Sequence, residues 1–139
     1  MHITMALPSR NRPAGLLSVL TTLEHLSSGE HEITYAVIVD DDDYVTHEQV
    51  AHWEKSGYFP ERTHIHSAQR LKTVNARFND AVNAHPAMVY GQICDDAFPM
   101  TQHWDKIAAS CANLPAFAWT EVNDPTNVTY PFVGEKWRQ

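Results

Sequence analysis

The sequence predicts an α/β fold in which helices cover both faces of an open, mostly parallel β-sheet. Apolar, β-branched stretches alternate with helical patterns along the chain, an order typical of strands joined by helical crossovers. Residues 33–39 form an apolar run without polar alternation at its end, as in a strand covered on both faces. At 139 residues, the whole length is expected to form one domain.

The first half of the chain predicts two strands and a helix. Residues 3–7 read as a strand that Pro8 ends, and Pro13 stands where a first helical turn would begin. Leucines at three- and four-residue spacing through residues 16–26 give that helix an apolar side. The second strand, residues 33–39, ends in four aspartates.

The middle of the chain predicts a second helix, a third strand and a third helix. Thr46 and Gln49 fit a capping box at the start of the second helix, which Gly57 would end. Residues 63–67 form a short strand with two histidines on one face, and a helix follows from about residue 72 to residue 83.

The last part of the chain predicts two more strands around a helix. Residues 87–94 read as a strand, residues 104–111 as a helix with Ile107 turned inward, and residues 117–119 as a final short strand. Residues 122–139 form an irregular tail to which no element is assigned.

Composition excludes some classes of partner. A formal charge of −7, from 17 acidic and 10 basic residues, argues against a broad nucleic-acid-binding surface or an anionic membrane surface. No apolar run approaches the roughly 18 residues of a membrane span, and the N-terminus is too short in apolar residues for a signal peptide. Two cysteines suit reduced thiols, so a cytoplasmic location is the default expectation.

Two acidic clusters follow predicted strands. Asp40 to Asp43 come after the second strand, and Asp95 and Asp96 after the fourth. Ligands bind outside the carboxyl ends of strands in open α/β sheets, so both clusters are expected at the ligand-binding edge. Converging carboxylates repel one another unless a cation neutralises them, and oxygen ligands suit Mg²⁺ or Mn²⁺. Asp42 and Asp43 are expected to be mainly solvated charges before a helix.

Two arginines lie close to the predicted N-terminus of the first helix. Arg10 and Arg12 flank Asn11 just before Pro13. Backbone N–H groups at a helix N-terminus and a guanidinium both favour phosphate. We therefore expect a phosphate-bearing ligand to bind at this edge.

These pieces together resemble a family 2 glycosyltransferase of GT-A fold. The resemblance rests on four segments, which cover roughly residues 3–110 in the right order: Pro8-Ser-Arg-Asn-Arg-Pro13 with its leucine-rich helix, Val37-Ile-Val-Asp-Asp41, a helix with Asn79, and Ile93-Cys-Asp-Asp96. It implies a protein that binds a nucleotide-diphosphate sugar, with a UDP-sugar expected, and transfers the sugar to an unknown acceptor. It leaves room for a homo-oligomer or a partner subunit.

The resemblance also implies a role for individual residues. Those that would contact the nucleotide are Pro8, Ser9, Arg10, Asp40, Lys72 and Asp95. Among them, Asp40 would accept a hydrogen bond from the base, and Asp95 would lie near the ribose. Asp95 and Asp96 stand where the family has its metal-binding DXD motif, with Asp96 expected on Mn²⁺ or Mg²⁺.

The resemblance does not reach a catalytic base, because the family's base and acceptor site lie in the half that would follow residue 139. The remaining carboxylates beyond the last strand, Glu121 and Asp124, are therefore the candidates, with His103 as a third. A minimal enzyme, a nucleotide-sugar-binding module that needs a partner, and a degraded remnant all fit this pattern.

Two rival site chemistries remain open. Asp41 to Val45 fit the D-x-D-x-[TV] motif of a HAD-type phosphatase with Asp41 as nucleophile, but the motif follows the second strand and no Ser/Thr and lysine pair accompanies it. His64 and His66 could begin a metal site, although structural histidines are the preferred interpretation.

Overall fold

The computed structural model describes residues 1–70, 73–113, 117–119 and 131–134. Strands and helices alternate from the N-terminus as predicted. The strands are β1 (His2–Ser9), β2 (Glu32–Asp40), β3 (Thr63–Ala68), β4 (Val89–Gln92), β5 (Phe117–Trp119) and β6 (Pro131–Gly134). The helices are α1 (Pro13–Leu26), α2 (Tyr44–Ser56), α3 (Val74–Ala84) and α4 (Trp104–Ser110), and a 3-10 turn, Cys111–Asn113, follows α4.

The strands form one mixed sheet in the order β3-β2-β1-β4-β6-β5. β1 to β4 are parallel, whereas β6 is antiparallel to both β4 and β5. The predicted mostly parallel sheet is therefore confirmed. The chain runs outward from β1 to β3 and then returns through α3 to β4 on the other side of β1. The carboxyl ends of β1 and β4 thus form the topological switch point at which such sheets bind ligands.

Helices cover both faces of the sheet, as predicted. Ile3 and Val37 belong to a core on one face that also includes residues of α1, α2 and α4. On the opposite face, Ala36 and Ile38 pack with Ala81 of α3. Alternate residues of β1 and β2 face opposite layers, so both strands are buried along nearly their whole length. Among the described residues, no helix is long and apolar enough to cross a membrane.

Two strands differ from the prediction. β1 does not stop at Pro8 but continues to Ser9, alongside β2. The carbonyl of Ala6 accepts a hydrogen bond from the N–H of Ile93, so the backbone of Ala6 faces β4. The backbone of Pro8, two residues on, faces the same side. The paired residues of β1 and β4 end at Ala6 and Gln92, so Pro8 lies beyond them. The N–H that Pro8 lacks would have no strand partner at this position, so proline does not weaken the sheet there. Residues 131–134, in the predicted irregular tail, form β6 between β4 and β5.

Two helices also differ from the prediction. Thr46 is not the N-cap of α2, because Asp43 caps the helix and Thr46 lies buried inside it. In α4, the expectation that Ile107 turns inward is wrong, since its side chain is 53% exposed. Trp104 is the buried anchor of that helix, and its indole N–H donates to the carbonyl of Leu23 in α1.

A cluster of histidines lies on the α3 face of the sheet. His64 and His66 of β3 meet His85, which ends α3, with ring centroids 4.6 and 4.9 Å from the His85 ring. Nε2 of His66 lies 2.8 Å from Nε2 of His85, so one nitrogen must donate and the other accept. Burial, reinforced by the charge of His64, lowers the pKa of both His66 and His85, while Asp80 opposes the shift at His66. His2 adds to the repulsion at His85.

This cluster should make the fold sensitive to mild acid. In the unfolded chain, His66 and His85 take up protons near their ordinary pKa of 6.5, whereas in the folded protein their pKa is lower. Protonation therefore favours the unfolded chain. The folded state keeps its full stability above pH 6.5 and loses part of it as the pH falls. In His66→Gln, we expect the fall in melting temperature between pH 8 and pH 5 to be smaller than in the wild type by about 2–4 °C. Scanning calorimetry at both pH values measures it. His52→Gln, at an exposed position of α2, is the control, and an equal fall in all three proteins would contradict the expectation.

Candidate functional site

Three segments of the predicted site meet at the carboxyl edge of the sheet. They are residues 9–12 after β1, residues 40–43 after β2 and residues 95–96 after β4, and together they are called the strand-end cluster. β1, β2 and β4 are parallel neighbours, so their carboxyl ends must lie at one edge. Direct hydrogen bonds and ion pairs join the three segments, as the sequence predicted for both acidic groups.

Asp95 joins the end of β1 to the loop after β4. The carboxylate is 6% exposed, and its Oδ2 accepts hydrogen bonds from Ser9 Oγ at 2.7 Å and from the backbone N–H of Arg10 at 3.3 Å. A turn closed by the N–H of Ala97 on the carbonyl of Cys94 presents the acidic pair. Asp95 therefore links the end of β1 to the loop after β4 at the switch point.

Asp40 lies between two guanidinium groups. Its side chain is 2% exposed, with Arg10 Nη1 2.7 Å from Oδ2 and Arg77 Nη2 2.5 Å from Oδ1. The Arg77 contact is electrostatic, since no N–H is aligned for a hydrogen bond to Oδ1. Two cations compensate the buried charge, which would otherwise cost several kcal/mol.

Asp42 holds the outer side of the Arg10 guanidinium. Oδ1 and Oδ2 of Asp42 accept from Nη1 and Nη2 of Arg10 at 2.5 and 3.1 Å, a bidentate pairing. Arg70 Nη1 lies 3.3 Å from Oδ2. The hydrogen bond from Arg10 lowers the pKa of Asp42, and the same pairing raises that of Arg10. Asp42 is thus half-buried in an ion pair and is not the mainly solvated charge that was expected.

Asp43 is likewise not a solvated charge. It is 1% exposed, and its carboxylate accepts from the backbone N–H of Thr46 at 3.1 Å and that of Asn11 at 2.7 Å. Burial alone would raise the pKa of Asp43, but these hydrogen bonds and the charge of Arg10 lower it below its ordinary value. Asn11 has a left-handed φ of 54°, which turns its N–H toward Asp43. The aspartate therefore caps α2 and holds the loop after β1.

The buried position of Asp43 weakens the phosphatase reading. In the D-x-D motif the second aspartate must exchange a proton with the substrate. Both oxygens of Asp43 are occupied by backbone N–H groups, whereas the proposed nucleophile, Asp41, is exposed at the surface. Asp43 is thus held as a helix cap, which does not fit the role of the second aspartate in that motif.

The acidic pair after β4 meets Arg12. Asp96 is 58% exposed and accepts from Arg12 Nη1 at 2.7 Å, while Oδ1 of Asp95 lies 3.5 Å from the same nitrogen. Two carboxylates and substrate phosphates suffice to hold Mg²⁺ or Mn²⁺, so the donors fit such an ion in number and type. Across the described residues, no group of three or more His, Cys, Asp or Glu side chains is arranged to hold a metal.

Gly15 allows the first turn of α1 to pack against Asp95. A Cβ on Gly15 would lie 2.4 Å from the carbonyl oxygen of Asp95, closer than such atoms ever approach. This close contact brings the N-terminus of α1 to the switch point. Nothing in the local sequence marks Gly15, because the contact joins residues 80 positions apart.

Arg77 is a second residue that sequence reasoning missed. It is 9% exposed, pairs with Asp40 and donates to the carbonyl of Arg70 at 2.9 Å. Its position four residues before Ala81, on the inward side of α3, was a detectable signal, because a charged residue on a buried helix face needs a partner. Asn79, on which the resemblance drew, is exposed.

Other predicted residues are not brought together here. Lys72, Glu121 and Asp124 lie outside the described residues. His103 is not at the site, because its backbone N–H donates to the carbonyl of Leu26, the last residue of α1, at the amino edge of the sheet. The expectation that His103 could act as the base is therefore wrong.

A cavity of about 420 Å³ lies at the amino edge, away from the strand-end cluster. Its lining includes Glu24, His31, Tyr35 and Arg62. Tyr35 donates to Glu24 at 2.9 Å, and Arg62 pairs with Glu32, so much of this lining is already paired. The carboxyl edge remains the candidate site, since that is where the parallel strands of a switch point direct their end groups.

Fold and site together define an α/β domain whose polar residues gather at a strand-end switch point. The chain is similar to the mannosyltransferase PcManGT from Pyrobaculum calidifontis in complex with GDP-Man and Mn²⁺, with a TM-score of 0.76 and 12% identity over 96% of this chain and 44% of that one. It is also similar to S. aureus TarS 1-349, with a TM-score of 0.60 and 13% identity over 89% of this chain and 37% of that one. TarS 1-349 in complex with UDP-GlcNAc gives a TM-score of 0.60 and 13% identity over 88% and 36%.

These similarities establish the fold. The chain has a glycosyltransferase-like fold, which confirms the predicted fold resemblance. It spans less than half the length of each of these structures. No protein-family model matches the chain, and no curated protein sequence matches it.

The Gly15 contact gives a prediction of unusual sign. Gly→Ala inside a helix normally stabilises by about 1 kcal/mol, but a Cβ here meets backbone that cannot yield cheaply. We expect Gly15→Ala to lower the free energy of unfolding by about 1–3 kcal/mol through overpacking. Urea denaturation measures it. Ser18→Ala, at an exposed position of the same helix, should be close to neutral, and a stabilised Gly15→Ala protein would show that the close contact is absent.

Proposed function

We propose that this chain is the nucleotide-sugar-binding part of a glycosyltransferase, and that it binds a nucleotide-diphosphate sugar, expected to be a UDP-sugar, at the strand-end cluster. The observation that carries the proposal is the joining of β1 and β4 at the switch point by Asp95, which Ser9 and Arg10 hold. The glycosyltransferase-like fold and the ligands of the similar structures, GDP-Man and UDP-GlcNAc, support it.

Arginines and a helix N-terminus would receive the diphosphate. Arg10 and Arg12 lie within the segment between β1 and α1, at the edge toward which the first N–H groups of α1 point. Pro13 supplies no N–H in that turn, but the following residues do. A diphosphate at this edge would meet two guanidinium groups and these N–H donors, which together favour it strongly.

The nucleoside would lie on the β2 side of the cluster. Pro8 and Ser9 end β1 beside Ile38 and Val39 of β2, which Asp40 follows, and this position supports their proposed contact with the nucleotide. For Asp40 to accept a hydrogen bond from the base, Arg10 must release Oδ2. We propose that the diphosphate draws Arg10 away from Asp40, and that Arg77 continues to compensate the buried charge.

Asp95 and Asp96 would hold a divalent ion, Mn²⁺ or Mg²⁺, between protein and diphosphate. An ion there would offset the charge that develops on the departing diphosphate. The protein's own contribution is positional. Ser9 and the N–H of Arg10 hold Asp95 in one orientation, and Gly15 keeps the backbone of Asp95 against α1.

The catalytic base is proposed to be Glu121 or Asp124. The described strands on either side of them support this: β5 ends at Trp119 and β6 begins at Pro131, and these two residues pair with each other. β6 runs antiparallel to β4, so β5 ends and β6 begins at the edge where β4 ends. A carboxylate near that edge could take the proton of an acceptor hydroxyl.

Nucleotide binding should depend on Asp96. We expect UDP in the presence of Mn²⁺ to raise the melting temperature of the wild type, and Asp96→Ala to weaken UDP binding in Mn²⁺ at least tenfold, about 1.4 kcal/mol. Titration calorimetry measures the affinity. Asp41→Ala removes an equal charge from an exposed position of the same edge and should bind UDP normally. Unchanged UDP affinity in Asp96→Ala would refute the metal-binding role, and failure of both UDP and GDP to bind the wild type would refute the nucleotide site.

A second candidate function is a binding module without turnover. It requires only the contacts of the strand-end cluster and neither of the candidate bases. An assay for slow hydrolysis of UDP-sugars in the presence of Mn²⁺ distinguishes an enzyme from a binding module. Release of free sugar that Glu121→Gln or Asp124→Asn abolishes indicates an enzyme, whereas nucleotide binding with no release under any donor indicates the module.

A further inference from the structure

Arg12 places a cation where the divalent ion is proposed to bind. Its Nη1 lies 2.7 Å from Oδ2 of Asp96 and 3.5 Å from Oδ1 of Asp95. The guanidinium of Arg12 is positively charged, because an arginine side chain does not lose its proton in a protein. One positive group therefore already offsets part of the charge of the acidic pair.

The packing of α1 keeps this guanidinium beside the pair. Arg12 is the N-cap of α1, and its carbonyl accepts the first hydrogen bond of the helix from Leu16 at 3.0 Å. Three residues on, the missing side chain of Gly15 lets the same turn contact the carbonyl of Asp95. The backbone from which the Arg12 side chain extends is thus tied to the loop that carries Asp95 and Asp96.

The guanidinium and a divalent ion exclude each other at these oxygens. Both need the same carboxylate lone pairs, and their positive charges repel strongly over a few ångströms. A diphosphate changes the balance, because it offers Arg12 new oxygens at a helix N-terminus and completes the coordination of the metal. Arg12 is 56% exposed, so its side chain has room to move from the carboxylates to a phosphate.

We propose that Arg12 is a resident cation which competes with the divalent ion for Asp95 and Asp96, so that the metal binds tightly only once a nucleotide diphosphate has taken the guanidinium. The second half of this proposal, in which a nucleotide diphosphate takes the guanidinium, rests on the proposed function. Its first half, the competition, concerns only the protein and the metal. Arg12 is on this account a positioning residue that sets the order of binding.

Titration of the nucleotide-free protein with Mn²⁺ tests the competition. We expect Arg12→Gln to bind Mn²⁺ at least tenfold more tightly than the wild type, measured by calorimetry or by the EPR signal of free Mn²⁺. Arg62→Gln is the matched control, since Arg62 is 51% exposed and pairs with an exposed carboxylate, Glu32, at the opposite edge. It removes the same charge and should leave Mn²⁺ affinity unchanged.

Two further variants guard against indirect effects. Arg12→Lys keeps the charge and should bind Mn²⁺ as weakly as the wild type, and Asp96→Asn added to Arg12→Gln should abolish the gain. Equal Mn²⁺ affinity in the wild type and Arg12→Gln, or an equal gain in Arg62→Gln, overturns the competition whether or not nucleotides bind.

A separate measurement tests whether the nucleotide relieves the competition. In the wild type, saturating UDP should tighten Mn²⁺ binding by a larger factor than in Arg12→Gln, because only the wild type has a guanidinium to displace. Equal factors overturn the linkage. If Arg12→Gln tightens Mn²⁺ binding but neither UDP nor GDP binds, the competition stands and the proposed function fails.

Discussion

The constraint on which this structure depends is the burial of carboxylates at the ends of parallel strands. Asp40 and Asp95 are almost fully removed from water, where a carboxylate without donors in contact would be energetically costly. Arg10 serves both, through its guanidinium at Asp40 and its backbone N–H at Asp95. One residue after β1 therefore ties the ends of β2 and β4 to the central strand, and neither carboxylate could be moved independently.

The same constraint sets where the helices begin. Asp43 satisfies N–H groups of both α2 and the loop after β1, so it fixes the start of α2 against the strand-end cluster. Gly15 lets the first turn of α1 approach Asp95. Two helix N-termini are thereby directed at one edge, where their dipoles favour anions and oppose cations. The polar edge and the helical layers are one structural unit.

For function, the consequence is that aspartates and arginines at the carboxyl edge of the sheet are already paired with one another. Asp40, Asp42, Asp43, Asp95 and Asp96 contact arginine side chains or backbone N–H groups, and under the proposed function an anionic ligand must compete for those donors. Under the proposed function, ligand binding would be an exchange of partners, in which phosphate replaces carboxylate on a guanidinium. Such an exchange links the order of binding to the side chains that move, which a preformed empty pocket would not do.

The sequence by itself determined the order of elements, the mostly parallel sheet and the edge at which the acidic groups meet, because apolar periodicity and strand-end position are local properties of the chain. Only the tertiary structure decided what each carboxylate does. Asp43 became a partner of Asn11, Arg77 a partner of Asp40, and Arg12 the cation on Asp96, since these pairings join residues about 30 to 80 positions apart. The two acidic clusters were predictable as a site; which of their charges are free to bind a ligand depended on which strands became neighbours.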